Sequence, residues 1–280
     1  LVTPPRSRPA LRVAAAVAVL LLASLPVRAD EWKELRSAHF VVRYQAAQPP
    51  AGLLPFLEGL HAKLLLDLVH FAPWAQGGTV ELRLYADAGR YRAETGMPPW
   101  AGGHVNPRER RIYAYPGPDF ERTLAHEMAH LFFQDYFESK GAAPPVWLNE
   151  GVACLMEEDY LRARGLRVPD PDAWLPLADF LAFDYHEGAP AGPAVGAWYR
   201  QAASVTAFLM RRMTSIPFQA FCAALRDGKT VEQALPLAYG LQIPDVPALE
   251  RVWLRGGLRP TAPAGSVAGE RPASAPGGRE

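Results

Sequence analysis

The sequence predicts an α+β chain, with a small strand-containing N-terminal part followed by a mainly helical remainder. Three observations carry this. Strand-like runs occur only before residue 118, every pattern from Asp119 onward has helical spacing, and Pro116-Gly117-Pro118 separates the two regions. The chain has 280 residues, of which 49% are hydrophobic and 21% charged, an ordinary globular balance that excludes a wholly disordered or fibrous protein. With 29 basic and 29 acidic residues the net charge is zero, so there is no electrostatic footprint for nucleic acid.

The two ends read as lying outside the fold. Arg6, Arg8 and Arg12 precede an apolar run from Val13 to Leu25, and Val27-Arg28-Ala29 places small residues at the −3 and −1 positions of a cleavage site. Residues 1–29 therefore read as a secretory signal peptide. N-terminal sequencing of exported protein is expected to begin at Asp30; an uncleaved anchor is the alternative. Export places the mature protein in the periplasm or outside the cell, with no stable membrane insertion once the leader is removed. Residues 259–280 are rich in Pro, Gly and Ala and lack aromatics, so they cannot bury enough apolar surface to offset ordering and are expected to be disordered. The remaining segment, 30–258, reads as a single domain with a β-containing part (30–118) and a helical part (119–258).

Within it, His39–Tyr44 is a β-rich run. Leu53, Leu57, Leu60, Leu64 and Leu68 recur at helical spacing and predict a helix from Leu53 to Phe71. Thr79–Tyr85 alternates, with Val80, Leu82 and Leu84 on one face and Glu81 and Arg83 on the other. A short helix over Asp87–Thr95, a Gly/Pro-rich loop over Gly96–Pro107 and a strand over Arg111–Tyr115 follow. Asp119 can cap a helix over Phe120–Tyr136. Further helices fit Val146–Leu161, Trp174–Phe183, Val195–Met213, Pro217–Asp227, Thr230–Leu237 and Val246–Leu254.

The chemistry is concentrated between residues 126 and 150. His126-Glu127-Met128-Ala129-His130 is an H-E-x-x-H motif on a predicted helix. At 3.6 residues per turn the two histidines stand one above the other, so both imidazoles can reach one Zn²⁺. Glu127 points about 100° away round that helix and can instead reach a water on the ion, pairing a base with a Lewis acid. A catalytic site needs a third ligand and an open position. Trp147-Leu148-Asn149-Glu150-Gly151 places Glu150 at the start of the next helix, beyond Gly141 and Pro144-Pro145, which let the chain turn back. Glu150 can thus complete a His₂Glu set.

H-E-x-x-H, nineteen residues, then the glutamate of W-L-N-E-G resembles the gluzincin metallopeptidases, notably their aminopeptidase branch and the wider peptidase MA-like domains. The likeness covers roughly Arg111 to Arg212 and implies a zincin-like helical domain. It further implies that one zinc is held by His126, His130 and Glu150 and that Glu127 activates water. It implies too that the strand Arg111–Tyr115 takes an extended substrate by strand addition, and that Tyr199, opening Tyr199-Arg200-Gln201-Ala202, steadies the oxyanion. The Lys-Gly pair of that family segment is Gln201-Ala202 here. The Gly-x-Met-x-Asn motif that grips a free N-terminus is replaced by Gly102-Gly103-His104-Val105-Asn106, so exopeptidase action is not implied. Where the thermolysin-like branch has an Asp partner four residues after the ligand Glu, this chain has Cys154.

His39, His61, His70, His104 and His186 lack partner spacing and read as surface or core residues, and the tryptophans at 74, 100, 174, 198 and 253 as packing residues. Cys154 and Cys222 could pair in an oxidising compartment or remain buried thiols. The expectation is an exported zinc metallopeptidase acting on a peptide or protein. Its rivals are a non-catalytic zinc- or partner-binding domain on the same fold, and a zinc hydrolase of a non-peptide substrate.

Overall fold

The computed structural model describes residues 32–68, 78–161, 174–183, 193–211 and 215–256. The leader, the C-terminal tail, His70, Trp74 and His186 lie outside the described residues. The architecture is α+β: a five-stranded mixed sheet is formed by the N-terminal part, and only helices follow among the described residues.

The sheet contains β1 (Lys33–Arg36), β2 (Phe40–Tyr44), β3 (Val80–Leu84), β4 (Gly103–Asn106) and β5 (Arg111–Ala114), in the spatial order β1-β2-β3-β5-β4. β2, β3 and β5 run parallel, while β1 and β4 pair antiparallel at the two edges. Helices α1 (Leu53–Leu68) and α2 (Ala88–Thr95) lie in the connections between the parallel strands. The alternation read in β3 holds: Val80, Leu82 and Leu84 are buried and Glu81 and Arg83 are not. Phe40, Val42, Ile112 and Ala114 join them in the main core, against Leu57, Leu60 and Leu64 of α1. A smaller cluster centres on Tyr85, Tyr91 and Ala101, with Met97, Tyr113 and Tyr115 packed on it.

The helical part comprises α3 (Phe120–Glu138), α4 (Val146–Leu161), α5 (Leu177–Ala182), α6 (Pro193–Arg211), α7 (Ser215–Arg226), α8 (Val231–Tyr239) and α9 (Val246–Gly256). α3 is buried on most sides, by Leu124, Ala125, Met128, Ala129, Leu131, Phe132 and Phe133 among others. It is packed between the sheet, α1 and α4.

Three expectations need correction, and one strand was not foreseen. Gly96–Pro107 is not all loop, because Gly103–Asn106 pairs with Arg111–Ala114 as β4. β1 was not foreseen; Lys33-Glu34-Leu35-Arg36 is a polar edge strand with a single apolar residue and thus shows no alternation to read. Asp119 makes no side-chain cap hydrogen bond. Trp100 is not a packing residue, being 68% exposed, whereas Trp198 and Trp253 are buried and Trp174 stacks on Trp253 at 4.1 Å.

Candidate metal centre and active site

The H-E-x-x-H segment lies in the middle of α3, and its helical pitch brings the two imidazoles together. Their Nε2 atoms are 3.0 Å apart and the rings meet edge to face. The turn after α3 uses Gly141 at φ 70°, in the left-handed region that favours glycine. α4 then returns against α3 and delivers Glu150. Its Oε2 lies 3.3 Å from His126 Nε2 and 3.4 Å from His130 Nε2.

These three separations form a nearly equilateral triangle. Ligand atoms about 2.0–2.1 Å from a tetrahedral ion are roughly 3.3–3.4 Å from one another. The donor set therefore has the spacing that a tetrahedral metal demands on three of its corners, and the group could hold a metal ion. The state of Glu150 supports the fit. Burial alone would raise its pKa, but the His130 and His126 imidazoles hold the carboxyl well below the usual carboxylate range. Yet Oε2 is buried and makes no hydrogen bond among the described residues. An ionised, orphaned oxygen facing two imidazole nitrogens is a donor set suited to a cation.

The rest of W-L-N-E-G explains how Glu150 is aimed. Trp147 and Leu148 are buried in the core, with Trp147 against Phe180 of α5. Gly151 is where α4 touches α6: a Cβ there would stand 2.1 Å from Thr206 Oγ1 and 2.6 Å from the Ala202 carbonyl oxygen. Glu150 is thus fixed between two anchored neighbours.

Sequence reasoning missed the outer support of the centre. Glu157 Oε2 lies 2.9 Å from His126 Nδ1, and its other oxygen forms an ion pair with Arg122 Nε at 2.7 Å. A carboxylate on the distal nitrogen sets the tautomer and orientation of a ligating imidazole. Position 154 has a cysteine in place of such a carboxylate; the structure supplies the carboxylate three residues further along α4. The available signal was the interval of seven from Glu150, two helical turns along one face. Cys154 remains close to His126, and burial pushes its thiol up. Burial would lower the His126 pKa, but Cys154, Glu150 and Glu157 together raise it well above the ordinary histidine value. Both cysteines are free, Cys222 being wholly buried.

The ligand atoms open on a cleft of about 480 Å³ lined also by Glu127, Gly103, Arg122, Trp100 and Tyr199. Glu127 is almost fully buried, and that burial pushes its carboxyl up, as do the carboxylates of Glu150 and Glu157, against the two histidines. Gly102 and Gly103 let the edge strand come close to α3: a Cβ at Gly103 would stand 2.9 Å from both Thr123 Cγ2 and the Tyr113 carbonyl oxygen. Arg111–Tyr115, expected at the cleft as an edge, is instead interior to the sheet, between β3 and β4. All five sequence-derived site residues, His126, Glu127, His130, Glu150 and Tyr199, line this one cleft. Compared with models of known protein families and with curated proteins, the sequence matches none.

Proposed function

We propose that the chain is an exported, zinc-dependent metallopeptidase of gluzincin type that hydrolyses peptide bonds. The observation that carries the reading is the triangle of His126 Nε2, His130 Nε2 and Glu150 Oε2, with edges of 3.0, 3.3 and 3.4 Å, open to a cleft that also contains the buried carboxyl of Glu127. Two imidazoles and one carboxylate with an open side suit a catalytic zinc. When bound, zinc would supply Lewis-acid polarisation of a carbonyl and lower the pKa of water.

The chain's own residues supply the rest. Glu127 accepts the proton of the attacking water and passes it to the leaving amine. A carboxyl raised by burial is matched to that exchange, because a base poised nearer the working pH both takes and returns a proton. Glu157 and Arg122 hold the His126 ring in place. The Tyr199 hydroxyl steadies the negative charge that develops on the carbonyl oxygen. β4, the strand at the sheet's edge beside α3, takes the substrate as an added strand, in place of the strand over 111–115. The leader-like pattern of residues 1–29 supports action outside the cytoplasm.

The test is incubation of zinc-loaded protein with a mixed peptide library, with and without chelator. Chelator-sensitive cuts are expected. His126→Ala, His130→Ala and Glu150→Ala should each lose most of the bound zinc. Glu127→Gln should keep zinc and thermal stability but lose about 10²–10⁴-fold in turnover, and Tyr199→Phe on the order of 10²-fold. Undiminished, chelator-sensitive cleavage by Glu127→Gln would sink the mechanism. A wild-type protein that binds zinc and cuts nothing would favour a non-catalytic domain.

A further inference from the structure

β4 stands at the edge of the sheet, and its residues alternate between faces. Gly103 faces α3, as the approach of Thr123 to its Cβ position shows. His104 therefore stands on the opposite face, in register with Tyr113 of β5. Its imidazole lies flat on the Tyr113 ring, with centroids 4.5 Å apart and planes 4° from parallel. Its Nδ1 is 2.9 Å from the hydroxyl of Tyr91, a residue with no exposed surface.

That hydroxyl fixes the tautomer. His104 Nδ1 is the Tyr91 hydroxyl's sole hydrogen-bond partner among the described residues. Were Nδ1 to donate, the buried O–H would be stranded, at a cost of about 1–3 kcal/mol. Tyr91 therefore donates to Nδ1, and the ring's proton sits on Nε2. Burial of the imidazole lowers its pKa and keeps it neutral. Protonation would also put a hydrogen on Nδ1 and strand the same hydroxyl. Nε2–H has no partner among the described residues and is not buried. His104 is a wall residue of the cleft, with Met97 and Trp100 from the segment that leads into β4.

We infer that His104 is a specificity-determining residue of this cleft, whose Nε2–H recognises a hydrogen-bond acceptor on a substrate side chain, and that Tyr91 is the positioning residue behind it. The inference rests on the peptidase reading above. A peptide added along β4 keeps its backbone in the plane of the sheet and sends alternate side chains to each face. The side chain directly opposite His104 emerges on the His104 face and meets a fixed donor that cannot accept. An amide or carboxylate satisfies that donor, whereas an isosteric aliphatic side chain leaves it unpaired beside Met97 and Trp100.

The experiment uses zinc-loaded protein and pairs of peptides cut in the library, identical except for Asn or Leu at one position at a time. At one position relative to the cut, the Asn peptide should have a kcat/KM about tenfold higher, carried by KM. Tyr91→Phe should lower that ratio. Tyr91→Phe combined with His104→Phe keeps an aromatic ring on Tyr113 and leaves no stranded hydroxyl. In this double variant the ratio should fall to about one while chelator-sensitive cleavage of the Leu peptide persists. An unchanged ratio in the double variant, or no such position in the wild type, overturns the assignment. If the wild type cuts no peptide, the peptidase reading fails by itself. In that case uncut library peptides, paired as Asn and Leu versions at one position at a time, are titrated calorimetrically against the zinc-loaded wild type, where tighter binding of the Asn member that is lost in the double variant sustains the inference and equal binding overturns it.

Discussion

Gly151→Ala tests whether the separation of α4 from α6 sets the geometry of the metal centre. The added Cβ would lie 2.6 Å from the Ala202 carbonyl oxygen, which belongs to the α6 backbone and cannot rotate aside. Restoring ordinary contact requires the two helices to part by about 0.8 Å. Thr206 Oγ1, at 2.1 Å, worsens the clash but can change rotamer. Overpacking of this kind costs about 1–3 kcal/mol, which for a domain of this size lowers Tm by roughly 2–12 °C. Glu150 is the next residue and moves with the helix. Ligand positions tolerate only about ±0.2 Å, so zinc affinity should fall at least about tenfold. Thermal unfolding of the metal-free protein reads the first effect, and competition with a chromophoric chelator reads the second. Adding Thr206→Ala should rescue Gly151→Ala only in part, because the Ala202 oxygen remains. A Gly151→Ala protein with wild-type Tm and zinc affinity within twofold would refute the reasoning.

Substitutions at Glu157, Cys154 and Glu58 give three further outcomes. Glu157→Gln removes the charge behind His126 Nδ1 and should weaken zinc binding about 10–100-fold, whereas Cys154→Ala should leave occupancy nearly unchanged; a larger loss at Cys154 would place the thiol in the coordination sphere. The Glu58 carboxyl accepts from the backbone N–H of His39 at 2.9 Å and meets its Nδ1 at 2.6 Å. Burial would raise its pKa, but these contacts lower it from 4.5 to about 2. A depressed carboxyl contributes stability above its unfolded pKa, so the contribution is complete above about pH 4.5 and lost as pH falls toward 2. The side chains are 29% and 41% exposed, so screening reduces the contribution to about 1 kcal/mol, or roughly 2–4 °C in Tm. Glu58→Gln should show that deficit at pH 7 and a smaller one at pH 3; an equal deficit at both would remove the ionic explanation.

What the sequence alone determined is what depends on local geometry. The pairing of His126 with His130 follows from the pitch of one helix, and the burial of Val80, Leu82 and Leu84 from the pleat of one strand. Trp147-Leu148-Asn149-Glu150-Gly151 stood out in the sequence through the place of Glu150 at a helix start and through its resemblance to a gluzincin segment, although the roles of Trp147 as a core anchor and Gly151 as a helix contact were not legible. The tertiary structure alone decided the rest. β4 carries only Gly103, His104, Val105 and Asn106, too short and too polar to alternate visibly, and it is a strand because β5 lies beside it. That pairing moved the edge of the sheet from residues 111–115 to residues 103–106. Glu157 reaches His126 Nδ1 because α4 packs antiparallel to α3, so that later residues of α4 lie beside earlier residues of α3. Tyr91 and His104 meet because α2 lies across the sheet from α3, where a buried hydroxyl has one acceptor in reach. Periodicity along a chain is written by bond geometry, residue by residue. Which distant side chain satisfies a buried polar atom is set only when separate elements close on one another.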